Sequence, residues 1–532
     1  MLKIHKSAWL LVLLSAVLQV LIFPLPNLYV LSWVAVTPLL VALLRARKPD
    51  TLQLQEGIRL LPANPWQAFL LAYLCGTLWY AGNCYWIFNT MRQYGGLNTP
   101  AAVGVLILFC LYLALYHGAF GLLVSLLAGK KSFNRLALLT APAIWVAVEL
   151  ARTRITGFPW DLLGIAQVDN VPLARIATVT GVYGLSFEIM VVNAALAAAF
   201  LVRRAKRKQL LLAALGAAVV LQTTRWITPP ALPADRTAVL VQVNIPILDE
   251  ADWTPDYFQD TLRDLSSMSF DAASQKPPSQ IASSVGQSRL VVWPESPAPF
   301  ADSDPVFRTA VSNLARETQA WVLVGDVGTN NAGPVSRKMY NSAFLVSPSG
   351  EWTARYDKVH LVPFGEYTPF PRLFSFAGGL TKEVGAFTAG QKHVPLAAGG
   401  AKLGVFICYE SIFPDEVRQF AASGAQVLVN ISNDAWYGDS GAYAQHSEQT
   451  RMRAIENNRW LLNDTNTGLT AAIDPYGRII ATVPRKLRTV LQAPYALSDV
   501  TTFYTRHGDW FAYLCAIISV AALLSRLFRR TL

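Results

Sequence analysis

Cys408 closes the apolar run Gly404-Val-Phe-Ile-Cys408 and is the only one of five cysteines outside a long hydrophobic segment; Cys75, Cys84, Cys110 and Cys515 all lie within such segments. With no disulfide partner in its own region, it is a candidate nucleophile. The bland reading of a single cysteine is a small buried hydrophobe. Two other stretches weigh against that reading. Leu290-Val-Val-Trp-Pro-Glu295 delivers a carboxylate just beyond an apolar strand that Pro294 ends, and the stretch from Tyr356 to Glu366 carries Lys358 and a second carboxylate, Glu366. A thiol of pKa about 8.5 is only a few per cent thiolate at neutral pH, so a base that takes its proton during attack is useful, and Glu295 is a candidate for that work. Attack on a carbonyl creates an oxyanion, which the Lys358 ammonium and a backbone N–H near Cys408 would stabilise. Taken singly, these residues also fit a buried Lys358–Glu295 ion pair, with Glu366 tying a loop.

The elements that must position these groups alternate in type. Short apolar or alternating runs at 238–245, 290–293, 321–325, 342–346, 403–407, 427–430 and 468–473 read as strands. Helical patterns lie at 256–265, 304–318, 414–423 and 444–457, and the Ser/Pro/Gln-rich stretch 266–288 reads as a solvated loop. Buried strands alternating with helices predict an α/β domain whose sheet is covered on its faces.

That domain is set into a very apolar chain of 532 residues, 53% hydrophobic, with a formal charge of +11. A bilayer core of about 30 Å needs roughly 20 helical residues to cross. Eight spans are expected, near 8–23, 29–44, 68–88, 101–127, 136–151, 182–202, 210–227 and 510–528, the seventh diluted by polar residues at its end. The first follows Lys3 and Lys6 like a signal peptide, but no small-residue cleavage site comes after it, so it reads as an anchor. The basic clusters, among them Arg45, Arg47 and Lys48, then Lys130, Lys131 and Arg135, then Arg203 to Lys208, fall on every second boundary. Positive charge marks cytoplasmic boundaries, which places 228–509 on the periplasmic side in a bacterium. The charge is then a topological signal, and no nucleic-acid partner is expected. Domains are expected at 1–228 (membrane bundle), 229–505 (catalytic) and 506–532 (last span).

Within the bundle, Gly157-Phe-Pro-Trp160 reads as a turn with interface anchors. Glu149, Arg152 and Glu188 lie in or at the ends of apolar spans, which calls for pairing or a polar cavity. A single histidine there, His117, carries no inference alone.

Glu295, Lys358 and Cys408, in that chain order and each on a short motif at a strand or loop end, resemble the nitrilase superfamily over 238 to about 500. With eight spans and Gly157-Phe-Pro-Trp160, the whole chain resembles the apolipoprotein N-acyltransferases. The resemblance implies an α-β-β-α sandwich carried by a multi-span helical bundle in the bacterial inner membrane. It implies a phospholipid acyl donor, a Cys408 thioester, and transfer to the α-amine of an S-diacylglyceryl apolipoprotein acceptor by a monomer. It also implies that Glu366, Tyr409 and Glu410 support the catalytic centre and that Trp253 contacts substrate.

Other chemistries find little footing. The six histidines show no metal-ligand spacing and there is no phosphate-binding or dinucleotide fingerprint, so neither metal nor cofactor is expected. Aromatic residues within 368–387, and the glycine-flanked stretch 437–443, read either as core or as mobile lids beside the site. Two readings compete with the acyltransferase: a membrane-tethered amidase that uses the same residues with water, and a catalytically silent scaffold.

Overall fold

The computed structural model describes residues 4–49, 60–128, 135–202, 204–248, 253–275, 289–298, 300–331, 337–368 and 387–531. Most of the aromatic stretch 368–387, the second half of 266–288, and Lys3, Lys130, Lys131 and Arg203 lie outside the described residues. The chain divides into two compact units, one of Met1–Phe88, Thr99–Pro229 and His507–Leu532, the other of Asn89–Asn98 and Pro230–Arg506.

The first unit is helical. Four helices among the described residues are long and apolar enough to cross a membrane: Thr99–Leu127, Arg135–Thr156, Val182–Leu201 and Trp510–Phe528. The other expected spans also contain helix, in shorter or more polar form. Lys6–Ile22 has 17 residues. The stretch 29–44 is a 3₁₀ turn, Tyr29–Trp33, followed by Thr37–Leu44. The third helix, Pro65–Asn83, opens on a reciprocal cap between Asn64 and Gln67 and stops at Asn83; a separate helix, Trp86–Gln93, follows. The seventh, Arg204–Thr223, begins inside the basic cluster, which lowers its apolarity. Helices Pro65–Asn83 and Thr99–Leu127 approach closely through small residues: a Cβ on Gly121 would meet the Ala68 carbonyl oxygen at 2.5 Å.

Glu149, Arg152, Asp161 and His117 of this unit meet at a cavity of about 30 Å³; Glu188 does not line it. Arg152 donates to Tyr80 Oη at 2.9 Å and lies 5.5 Å from the Trp79 ring. Glu149 accepts from Trp145 Nε1 at 3.0 Å and from the Leu163 N–H at 2.8 Å, and His117 lines the same space. Phe158 and Trp160, expected as interface anchors, are instead buried, with the Trp160 ring 4.9 Å from Trp86. Packing against another indole within the unit removes more apolar surface than an interfacial position would.

The second unit holds two six-stranded sheets. The first runs β12-β1-β2-β3-β4-β5 and the second β11-β10-β9-β8-β7-β6. Their strands are β1 (Arg236–Gln242), β2 (Arg289–Val292), β3 (Ala320–Asn331), β4 (Arg337–Val346), β5 (Trp352–Asp357), β6 (Leu396–Ala398), β7 (Ala401–Ile407), β8 (Val427–Ser432), β9 (Leu461–Thr465), β10 (Ala471–Ile473), β11 (Ile479–Thr482) and β12 (Thr489–Tyr495). β1, β2 and β3 are mutually parallel, as are β7, β8 and β9. Parallel strands buried on both faces have near-continuous apolar sequences, and β8 is buried at every position.

Helices Pro255–Ser274 and Pro305–Thr318 cover the first sheet, where Leu262, Leu265, Phe307 and Val311 join one core with Val239, Val291, Trp293 and Val322. Helix Pro414–Ala422 packs on β7, close enough that Gly404 has no room for a Cβ against Phe420. Helix Ala442–Asn457 lies beside it. The two sheets are joined by the Asn244 N–H to the Asn466 carbonyl, 2.9 Å, and the Ile245 N–H to Asn466 Oδ1, 2.8 Å. The order is helix, sheet, sheet, helix.

Two expectations are corrected here. The helix after Thr254 continues to Ser274, so the front of the supposed 266–288 loop is helical. One face of it turns inward: Ser269, Ala272 and Ala273 are buried and Ser269 Oγ accepts from Trp293 Nε1 at 2.8 Å. Five strands, β5, β6, β9, β11 and β12, were not anticipated, being short, polar or edge-lying.

Candidate active site

Glu295 leaves β2 through Pro294. Gly325 on β3 lies so close that a Cβ there would meet the Pro294 carbonyl oxygen at 2.5 Å, which fixes where Glu295 begins. Lys358 follows β5, its N–H bonded to the Asn341 carbonyl at 2.8 Å. Cys408 ends β7 and starts the short 3₁₀ helix Cys408–Ile412, with φ at +51°, in the left-handed region. All three are buried.

Lys358 Nζ stands 3.2 Å from Glu295 Oε1 and 3.0 Å from Glu366 Oε1. Asn341 Nδ2 donates to the same two oxygens, at 2.7 Å each. The outer oxygens are also held: the Asn433 N–H donates to Glu295 Oε2 at 2.9 Å and the Val362 N–H to Glu366 Oε2 at 2.7 Å. Two carboxylates therefore share one ammonium and one amide. The surplus of negative charge faces a thiol, and accepting the thiol proton would relieve it.

Burial pushes the Cys408 thiol well above its ordinary pKa. Glu295 and Asp434 add to the rise, against Lys358 and a hydrogen bond from Ser432. The resting group is a neutral thiol. For Lys358 burial disfavours the ammonium, yet Glu295 and Glu366 outweigh it and its pKa is raised. The arrangement thus holds a protonated lysine, a neutral thiol and a carboxylate with unequal partners, the set required for nucleophilic attack with concerted proton transfer.

Glu410 lies below the thiol and has a different character. Its Oε1 accepts from Tyr356 Oη at 2.7 Å, from the Val359 N–H at 2.7 Å and from the His360 N–H at 3.1 Å, while Oε2 accepts from the Ile407 N–H at 2.7 Å. Tyr409 is buried, its ring 5.3 Å from Phe413. Trp253 packs on the first-sheet core with its ring 5.1 Å from Tyr257, and no contact among the described residues joins it to Cys408. Glu366, Tyr409 and Glu410 thus stand around Lys358 and Cys408, while Trp253 packs on the first-sheet core.

Several participants were not read from sequence. Asn341, mid-way along β4, bridges both carboxylates; its only signal was an amide directly before the apolar run 342–346. Asn433, Asp434 and His446 come from the end of β8 and the helix beyond. His393, Glu410 and Glu416 bring possible ligand atoms within 4.8 Å of one another. Within the protein Glu410 already takes four donors and Glu416 lies against both His360 and His393. The stretch 437–443 is anchored: Arg485 covers the Tyr443 ring at 3.3 Å and donates to the Gly438 carbonyl at 3.2 Å, and Tyr94 Oη donates to the Ala435 carbonyl just ahead of it at 3.1 Å.

Residues 240–504 match the carbon-nitrogen hydrolase family, and residues 15–195 match the apolipoprotein N-acyltransferase N-terminal domain. A relative from Geobacter metallireducens, an apolipoprotein N-acyltransferase, is 36% identical over 99% of this chain and 96% of its own. This chain belongs to the apolipoprotein N-acyltransferase family. Further members from Methylococcus capsulatus (36% identity, 86% of this chain, 87% of the relative) and Vibrio cholerae (32%, 84% and 86%) are similar. Among solved structures, a nitrilase-superfamily amidase from Nesterenkonia AN1 aligns over 53% of this chain and 98% of its own, at 20% identity and a TM-score of 0.38. Membership in this family of bacterial acyltransferases, together with four helices apolar enough to span, makes the chain a bacterial membrane enzyme. The amidase and silent-scaffold readings are not favoured.

Proposed function

We propose that this acyltransferase moves a fatty acyl group from a phospholipid, through a thioester on Cys408, to the α-amine of an S-diacylglyceryl cysteine at the N-terminus of an apolipoprotein. The observation that carries the chemistry is the burial of Glu295, Lys358 and Glu366 as two carboxylates on one ammonium beside the Cys408 thiol. Cys408 Sγ attacks the ester carbonyl carbon while Glu295 takes the thiol proton. Lys358 and the backbone N–H beside Cys408 stabilise the oxyanion. Collapse breaks the ester C–O bond, Glu295 returns its proton to the leaving oxygen, and a lysophospholipid departs. The acceptor amine then attacks the thioester carbon as Glu295 takes its proton, and the C–S bond breaks as Glu295 returns that proton to sulfur, which forms the amide and regenerates the Cys408 thiol and the Glu295 carboxylate. Glu366 and Glu410 hold Lys358 and the Cys408 turn in place.

The alternating basic clusters support eight spans with the catalytic unit in the periplasm, where exported lipoproteins and the outer leaflet supply both substrates. Reporter fusions ending at Arg204 and within 300–500 test this orientation, and a cytoplasmic catalytic unit would refute it. Intact-mass measurement after incubation with phospholipid tests the chemistry. Wild type should gain one acyl mass and lose it on adding an S-diacylglyceryl peptide; Cys408→Ala should gain none. Equal loss in buffer and in peptide would favour a hydrolase.

A further inference from the structure

His446, on helix Ala442–Asn457, is buried and held at both ring nitrogens. Nε2 stands 3.1 Å from the Cys408 carbonyl oxygen and 2.8 Å from Ser411 Oγ. Nδ1 stands 3.3 Å from Asp434 Oδ1. Asp434 accepts in turn from Ser432 Oγ at 2.7 Å, and Gly468 lies so close to its carboxylate that no Cβ fits there. A carbonyl and a carboxylate only accept, so an imidazole facing one with each nitrogen needs a proton on both.

The carbonyl it meets belongs to the residue with left-handed backbone, φ +51°. A side-chain-bearing residue is strained in that region and persists there only where its surroundings fix it. The Cys408–Tyr409 peptide is planar and trans, so its N–H points opposite to its carbonyl. Holding the carbonyl against His446 therefore also sets the direction of the Tyr409 N–H beside the thiol.

We propose that His446, as an imidazolium paired with Asp434, is a positioning residue for acylation: its Nε2–H holds the Cys408 carbonyl and so orients the peptide whose N–H assists Lys358 at the oxyanion. The inference rests on the acyl-enzyme reading above. Facing His446 are Asp434, the carbonyl and thiol of Cys408, the Ser411 hydroxyl, the Tyr437 ring at 5.7 Å and, further off, Glu295. Burial disfavours the imidazolium, but Asp434 and the Cys408 carbonyl outweigh it and the pKa is raised. Loss of the proton turns an Nε2 lone pair toward the carbonyl and leaves only Ser411 to donate to that nitrogen, which frees the peptide.

The test is single-turnover thioester formation from mixed phosphatidylethanolamine and phosphatidylglycerol vesicles, followed from about pH 6 to 9.5, with thermal midpoints measured alongside. Wild type should slow on the alkaline side. His446→Gln, whose amide N–H donates to the same carbonyl without titrating, should stay within about tenfold of wild type near pH 6.5 and lack that alkaline fall. His446→Leu should slow acylation by roughly 10- to 1,000-fold, the usual span for a lost oxyanion donor or its orientation. Parallel alkaline falls in wild type and His446→Gln overturn the proposal, as does a His446→Leu variant that acylates at the wild-type rate, or a folded His446→Gln with no acylation. Should His446→Leu not fold, the His446→Gln profile decides. No thioester in wild type would instead refute the acyl-enzyme reading and this inference with it.

Discussion

Two carboxylate clusters flank the loop that carries Lys358, and their hydrogen bonds assign them opposite work. On one side Glu295 and Glu366 share the Lys358 ammonium and the Asn341 amide, with one backbone N–H on each outer oxygen. On the other, Glu410 takes four donors, three of them backbone N–H groups. Its four donors equal in number the roughly four lone-pair sites of a carboxylate, three on Oε1 and one on Oε2, and all are backbone or tyrosine groups. It ties strand ends and loop together, and neither the Lys358 ammonium nor the thiol is among its hydrogen-bond donors. Glu295 has a cation, an excess of neighbouring negative charge and a neutral thiol beside it. The difference lies in who the partners are and what they leave open, since burial is similar for both.

The largest expected effect comes from removing the proposed proton acceptor, Glu295. Glu295→Gln should slow acylation of Cys408 by about 10²- to 10⁴-fold, the usual worth of positioned acid–base catalysis. The replacement is not neutral in hydrogen bonding. Both Glu295 oxygens accept, so a glutamine must turn its amide N–H₂ toward either the Asn341 and Lys358 donors or the Asn433 N–H. Thermal midpoints measured beside single-turnover rates separate lost chemistry from lost folding. A folded variant that acylates at near the wild-type rate would remove Glu295 from the mechanism.

On the Glu410 side the main effect should be on stability. Glu410→Gln sets an amide N–H₂ against at least one backbone N–H, leaving a buried donor without its acceptor, a loss of about 1–3 kcal/mol. Acylation should fall much less than in Glu295→Gln, because Glu410 moves no proton. If the two variants lost acylation equally while both stayed folded, the distinction between a working and a structural carboxylate would fail.

How far this contrast was legible in the sequence depends on what each residue needs from outside its own segment. Cys408 and Glu295 stand at the ends of apolar strands, and such ends are visible as composition changes; Lys358 follows β5, whose Thr353, Arg355 and Asp357 hid it as a strand, and it was found only through the short stretch it shares with Glu366. The partners of Glu410 are mostly backbone groups, which no residue type advertises. β9, Leu461-Leu-Asn-Asp-Thr465, hid because Asn463 and Asp464 look like loop residues; in the fold Asn463 accepts from Asn430 Nδ2 at 2.8 Å on the neighbouring strand. β12 hid because of Pro494, which an edge strand tolerates and a central one does not. In the membrane unit, each expected span contains helix, but the short helices between 152 and 180 were not anticipated. Hydrophobicity did not show that Asn83 would end one of the helices, or that Trp160 would turn inward.

The smallest effect sharpens the comparison by pH. Glu416 lies further from the thiol, between His360 Nδ1 at 2.9 Å and His393 Nε2 at 3.6 Å. Burial alone would raise its pKa, but hydrogen bonds and charge from the two histidines bring it down to about 2. A carboxylate with a depressed folded pKa adds stability that is fully present above its unfolded value, about 4.5, and is lost as pH falls toward 2. His393 shows the reverse sign. Burial lowers its pKa, the nearby carboxylates of Glu416, Glu410 and Asp415 raise it, and the net shift is upward. Its contribution is complete below about 6.5 and is lost as pH rises through the raised folded value. The two windows overlap between roughly pH 4.5 and 6.5, where both partners are charged. Glu416→Gln should therefore lower the thermal midpoint most near pH 5.5, by the equivalent of about 1–3 kcal/mol, and progressively less toward pH 3 and pH 8.5. Thioester formation at pH 5.5 should change by less than about threefold, since Glu416 neither bonds Lys358 nor touches the thiol. A midpoint difference that is flat with pH would mean that Glu416 acts through packing alone, and a large loss of acylation would move it into the reactive cluster.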